Sequence, residues 1–248
     1  MKLTLTDPKY LTDSISIISE LVNEVHLKVD KDKIELIAMD PANVAMIVFN
    51  LLSSAFAEYN VKEPKEIAIN LDQLKQILKR AKPSDVVTIE LDDDKNKLNI
   101  KIKGESARTF NLSLLGSVDK SHKIPNLKFP TKIDINALTF NEAIEDMGVV
   151  AESVAFMTEK DKFTIKSESK LNDATVEIAP GNETKIDTSE KTTSKYSLEY
   201  LKKIIKGSKL TDNVQIQFGN DYPLRVDYIS KDKLNLAVIL APRVSNTD

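Results

Sequence analysis

The side chains best spaced for chemistry are cations. Lys75, Lys79 and Lys82 follow one another at near-helical intervals, and Lys202, Lys206 and Lys209 repeat that spacing 127 positions further along. Ammonium groups so arranged can neutralise a row of phosphates or simply lie solvated on a helix surface. Each run also carries an apolar triplet at i, i+3, i+4: Leu74, Ile77 and Leu78 in the first, Leu201, Ile204 and Ile205 in the second. The combination predicts two amphipathic helices, each burying its apolar stripe and presenting a basic face.

Other reactive groups are sparse. The chain has no cysteine, which excludes disulfides, thiolate zinc sites and cysteine nucleophiles. Its two histidines, His26 and His122, fit neither HExxH nor a similar metal spacing. Six glycines form neither GxGxxG nor a Walker loop, and no serine occupies a GxSxG elbow. Asp92-Asp93-Asp94 could attract a divalent cation, but it lacks the glycine and terminal glutamate of an EF-hand and reads as an acidic hairpin turn. The expectation is a protein with no catalytic residues, no metal and no cofactor. Two alternatives stay open: a protein-only scaffold, and a hydrolase with an atypical metal site at the aspartate run.

The elements that hold the cations occur in duplicate. Residues 1–5 alternate like a strand, Asp7-Pro8 resembles a helix start, and Leu11, Ile15, Ile18 and Val22 mark a first helix. Residues 25–29 and 34–39 form a hairpin, followed by strands at 44–51 and 66–70 and then the first lysine helix. A hairpin over 86–91 and 98–103 and a strand at 109–115 close this half. Leu11 to Ile15 corresponds to Phe140 to Ile144, and Asp30 to Ile34 to Glu159 to Phe163, both displaced by 129 positions. A shared period this long predicts two tandem copies of one α+β domain, residues 1–115 and 131–248, each with antiparallel strands and two helices. Residues 116–130 read as a linker. It carries Ile124, Leu127 and Phe129, more apolar surface than a solvated tether needs, so these three should dock on the protein.

Composition sets the outer bounds. The 248 residues are 41% hydrophobic, enough for packed cores, and no window is apolar enough to span a membrane. The N-terminus lacks the apolar core of a signal peptide, so an intracellular protein with no membrane partner is expected. A net charge of −3 argues against nonspecific DNA binding over the whole surface but leaves room for a local basic face.

Three motifs then carry a resemblance: Ala38-Met39-Asp40-Pro41-Ala42-Asn43-Val44, the helix from Leu71 to Ala81, and the ending Leu240-Ala241-Pro242-Arg243-Val244. Phe218-Gly219-Asn220-Asp221-Tyr222-Pro223-Leu224 is a fourth. Over essentially its whole length the chain resembles the sliding clamps of the proliferating cell nuclear antigen family, above all the archaeal members. The resemblance implies a trimer closing into a pseudo-sixfold ring, with sheets forming its outer shell and helices lining a hole for duplex DNA. It implies a processivity factor for DNA replication and repair, cytoplasmic if archaeal and nuclear if eukaryotic.

The residues implied to face DNA are Lys75, Lys79, Arg80, Lys82, Lys202, Lys203, Lys206 and Lys209, with Lys9 beside them. Glu142, Glu145 and Asp146 make the helix around Phe140 poorly basic. A peptide groove under the linker is implied at Met39, Asn43, Val44, Met46, Ile124, Leu127, Phe129, Pro223, Ile239, Ala241 and Pro242. Through it a DNA polymerase, a flap endonuclease, a DNA ligase and a clamp loader would each dock by a short hydrophobic motif. Ring closure, with identical or paralogous subunits, is assigned to edge strands: Thr109, Phe110, Asn111, Leu112, Ser113 and Leu114 on one side, Thr175, Val176, Glu177 and Ile178 on the other.

Overall fold

The computed structural model describes residues 1–116, 122–159 and 161–243. Linker residues 117–121, Lys160 of the second-copy hairpin turn and Val244 of the terminal motif lie outside the described residues. From the N-terminus the elements are β1 (Lys2–Leu5), α1 (Lys9–Ile18), β2 (Glu24–Val29), β3 (Lys33–Met39), β4 (Ala45–Leu52), β5 (Glu58–Asn60), β6 (Lys65–Asn70), α2 (Leu71–Leu78), β7 (Val86–Asp92), β8 (Lys97–Lys103) and β9 (Ala107–Ser113). They continue with β10 (Thr131–Asn136), α3 (Ala137–Met147), β11 (Ser153–Glu159), β12 (Lys162–Glu168), β13 (Asp173–Ile178), β14 (Lys185–Thr188), β15 (Thr192–Ser197), α4 (Leu198–Ile204), β16 (Asn213–Phe218), β17 (Leu224–Ser230) and β18 (Leu234–Leu240). Strands β5 and β14 were not legible as alternation, being only three and four residues long.

Two compact units result, and they do not divide the chain at one point. The first holds Met1–Pro41, Ile47–Ile124 and Ser230–Leu236; the second holds Ala42–Met46, Pro125–Ile229 and Ala237–Asp248. Strands of the first unit run in the order β5-β1-β7-β8-β9 and, separately, β4-β3-β2-β6. In the second the orders are β14-β10-β16-β17-β18 and β13-β12-β11-β15. Raising each label of the first set by nine gives the second, so the duplication read from residue spacing extends to the topology. The fold is α+β, with two helices per copy.

Local chemistry explains where the helices begin and end. Asn70 caps α2 by accepting the Gln73 N–H (3.0 Å), and Asn136 caps α3 by accepting from Leu138 (2.9 Å) and Thr139 (3.3 Å). The lysine helices are shorter than the cation spacing predicts. Helix α2 stops at Leu78, after which the Arg80 and Ala81 N–H groups bond to the carbonyls of Ile77 and Leu78, three residues back. Pro83 brings no N–H, and the Lys82 N–H donates to the Asp85 carboxylate instead of the helix ladder (3.0 Å). Helix α4 likewise passes at Ile205 into a 3-10 turn, Ile205–Lys209. There Gly207 lies under the Tyr228 ring, where an added Cβ would come within 2.2 Å of a ring carbon.

The two cores differ in kind. In the second unit Phe156 has four aromatic neighbours, Phe140, Phe163, Tyr196 and Phe218, at centroid distances of 5.3 to 6.0 Å. The first unit is aliphatic at the equivalent places, Leu11, Leu27 and Ile34, and these line a cavity of about 30 Å³.

Candidate functional site

The basic residues of the first copy gather on α2 and the turn that follows it. Burial of Leu71, Leu74 and Leu78 orients the helix. Lys75 is then half-buried at its last turn, while Lys79, Arg80 and Lys82 are exposed. Lys9 is exposed on the first turn of α1, and α1 packs against α2. Among the described residues Lys9, Lys75, Lys79 and Arg80 make no ion pair, whereas Lys82 lies 3.7 Å from Glu105. Cations at a helix C-terminus also sit well with its dipole. Lys79, Arg80 and Lys82 therefore ride on the turn after the helix and not on a regular helical face, because the ladder ends at Leu78.

In the second copy the cations are less available. Lys203 bonds to Glu199 (3.1 Å) and sits 5.3 Å from the centre of the Tyr200 ring. Lys202 folds its side chain over Gly148, the residue that caps α3, where a Cβ would meet Nζ at 2.4 Å. The negative end of the α3 dipole favours that placement. Lys206 and Lys209 are exposed on the 3-10 turn. Helix α3 buries Phe140, Ala143, Ile144 and Met147, which leaves Glu142, Glu145 and Asp146 exposed together with Leu138 at 64%. This helix presents carboxylates, as its sequence suggested.

Most residues expected to form the peptide groove fall within the second unit. The short segment Ala42–Met46 joins that unit, and the Val44 carbonyl accepts the Ala241 N–H (2.9 Å). Asn43 adopts the left-handed conformation (φ 57°), which an asparagine tolerates and which sets the bend before Val44. Met46 and Ile239 are buried, while Val44, Leu127, Phe129, Pro223, Ala241 and Pro242 are half-buried. Phe129 packs edge-on against Tyr222 (5.8 Å). Met39 and Ile124 belong to the first unit. Ile124 is 44% exposed, so of the three linker side chains expected to dock, this one does not bury. Tyr222 is not among the residues expected to form the groove, although it stands directly before Pro223 in the Phe218–Leu224 motif. Its carbonyl accepts the Tyr196 hydroxyl (2.8 Å), which holds the Tyr222 loop against β15.

Strands β9 and β13 each stand at an end of their sheet's order. Both alternate: Thr109, Asn111 and Ser113 are exposed and Leu112 buried on β9, while Thr175 and Glu177 are exposed and Ile178 buried on β13. Phe110 and Val176 are half-buried, and Leu114 follows β9 with its N–H on the Asn96 carbonyl (3.0 Å). The aspartate run passes from the end of β7 into a turn, and two of its charges are paired: Lys95 lies 3.4 Å from Asp92, and Lys65 lies 3.2 Å from Asp93. Among the described residues no group of three or more metal-ligating side chains converges, and no helix is long and apolar enough to cross a membrane.

Comparison with known proteins identifies the class. The sequence profile of the proliferating cell nuclear antigen N-terminal domain matches residues 2–120, and that of the C-terminal domain matches residues 123–243. The chain belongs to the proliferating cell nuclear antigen family. It is 35% identical to the DNA polymerase sliding clamp of Thermococcus gammatolerans over 95% of each chain. It is 34% identical to that of Nanoarchaeum equitans over 98% of this chain and 99% of the relative. The fold matches a crystal structure of proliferating cell nuclear antigen from Thermococcus kodakaraensis with a TM-score of 0.91 at 24% identity, covering 98% of this chain and 99% of that one.

Proposed function

We propose that this chain is a DNA polymerase sliding clamp, a ring subunit that encircles duplex DNA and holds a polymerase at its substrate without catalysing a reaction. The observation that carries the reading is the cation-bearing helix end present at the same place in both halves of a member of this family. Cations repeated around a duplex meet phosphates whatever the base sequence, and contacts of that kind allow sliding while the closed ring prevents loss. Two clamp domains, 1–115 and 131–248, joined by the linker 116–130, make up each of three subunits. The exposed edges of β9 and β13 suit head-to-tail pairing between subunits, which closes a ring when the rotation allows it.

The apolar surface around Phe129, Tyr222, Pro223 and Pro242 suits the aromatic plug of a short client peptide. A flap endonuclease, a DNA ligase and the clamp loader are further clients of this groove in our reading. Work on chromosomal DNA puts the protein inside the cell, in the cytoplasm of an archaeon.

Charge reversal at Lys79→Glu together with Lys206→Glu tests the DNA-facing assignment. Loading onto primed circular DNA and stimulation of a polymerase should both fall, while the mass in solution stays that of three chains. Unchanged loading and stimulation would sink the assignment and favour a protein-only scaffold.

A further inference from the structure

An ion pair between a half-buried arginine and a buried carboxylate joins the turn that carries two of these cations to the edge strand. Arg108 projects inward from β9 and uses both ends of its guanidinium: Nη1 donates to the Arg80 carbonyl (2.8 Å) and Nη2 to Asp85 Oδ2 (2.6 Å). The same carboxylate oxygen accepts the Lys82 N–H (3.0 Å), and the Asp85 N–H returns to the Lys82 carbonyl (3.0 Å). Asp85 is only 3% exposed. The site is built around it, since a Cβ at Gly104 in the β8–β9 turn would lie 2.1 Å from Asp85 Oδ1. A buried carboxylate so enclosed is held by its cation and its N–H donors, and it loses its compensation if either is removed.

We propose that Arg108 and Asp85 are positioning residues for the DNA-facing cations Arg80 and Lys82, tying their placement to the strand at which subunits meet. The inference rests on the reading of those two side chains as DNA-facing. Neither Arg108 nor Asp85 touches the duplex in this scheme. Arg108 holds the carbonyl end of the turn, Asp85 holds its centre, and Arg80 and Lys82 project from between these fixed points. Lysine cannot replace the arginine, because one ammonium cannot reproduce a planar fork directed at two acceptors. Pairing β9 with a neighbouring subunit shields the fork further from water and strengthens its grip on the turn, so ring closure and cation placement support each other.

The test is a double-mutant cycle on the full chain, read by binding to fluorescent duplex DNA across a salt series, with mass and melting temperature checked for every variant. Asp85→Asn should lower the slope of log affinity against log salt by about two, as expected when the phosphate contacts of both Arg80 and Lys82 are lost. Adding Arg80→Gln and Lys82→Gln to Asp85→Asn should then change little, whereas adding Lys209→Gln should still exert its full effect. Arg108→Lys, which keeps the charge and loses one prong, should behave like Asp85→Asn and serves if the latter fails to fold. Losses that simply add, or an Asp85→Asn protein that binds as the wild type does, overturn the positioning role. If Arg80→Gln with Lys82→Gln alone leaves the salt slope unchanged, the DNA-facing reading of those residues falls, and the positioning role falls with it.

Discussion

Exchanging one core residue between the two copies should raise stability in one direction and lower it in the other. The displacement of 129 pairs Leu11 with Phe140, and the first unit keeps an apolar cavity beside Leu11 where the second is filled by rings. At about 24 cal/mol per Å³, a void of 30 Å³ corresponds to ~0.7 kcal/mol of forgone packing. Leu11→Phe adds three ring carbons at its edge, and a gain of ~0.5 to 1 kcal/mol is expected if the ring enters it. The opposing term is overpacking, which costs about 1 to 3 kcal/mol when neighbours must leave their rotamers. The cavity tips the balance because the nearest displaced volume is already empty. Phe140→Leu makes the reciprocal change in a core where the ring packs against Phe156, and it should cost about 1 to 3 kcal/mol in cavity and lost ring contacts. Urea denaturation at one fixed protein concentration measures both, since subunit association shifts the apparent stability. A loss of about 1 kcal/mol or more from Leu11→Phe would refute the argument, showing that the first core cannot relax around the ring.

Three further outcomes are expected. The Tyr228 hydroxyl is fully buried with no hydrogen-bond partner among the described residues, so Tyr228→Phe should be neutral or stabilising by about 1 kcal/mol in the same titration. Burial also holds that phenol protonated above its ordinary 10.0, so its contribution is intact below pH 10 and is lost as pH rises beyond it. The alkaline decline should accordingly be shallower in Tyr228→Phe. Asp30 sits below its ordinary 3.8, chiefly because it accepts the Asp32 N–H (2.8 Å) in the β2–β3 turn. A depressed carboxylate stabilises above 3.8 and loses that effect as pH falls through its lower folded value, so wild type and Asp30→Asn should converge in stability on acidification below pH 3.8.

Much of the fold was legible because duplication leaves a signal that single elements do not. Apolar triplets at i, i+3, i+4 are common, but the same triplet with the same lysines at one displacement defines a repeat, and the two sets of strand orders match it label for label. The ends of the elements were less legible. Cation spacing extended the helix through Lys82, while the structure ends it at Leu78, because Pro83 and the Asp85 carboxylate act from beyond the helical pattern. Of the expected groove, the apolar linker residues stand out in the sequence, and the resemblance supplies the proline-bearing motifs. The packing of Phe129 on Tyr222 and the exposure of Ile124 could not be read directly, since both depend on which surface the linker meets.

By itself the sequence determined the class of fold, the twofold repeat, the poverty of catalytic groups and the identity of the cations. These follow from periodicity, composition and local propensity, which act over a few neighbours or a constant offset. Tertiary structure alone decided which cations are available. Lys202 and Lys82 resemble Lys75 and Lys79 in sequence, yet one lies over the end of α3 and the other beside Glu105. It also decided that Arg108, 23 positions from Asp85, grips the turn between Arg80 and Asp85. Electrostatic partners are set by distance in space, and nothing in the spacing of Arg80, Asp85 and Arg108 along the chain records that they meet.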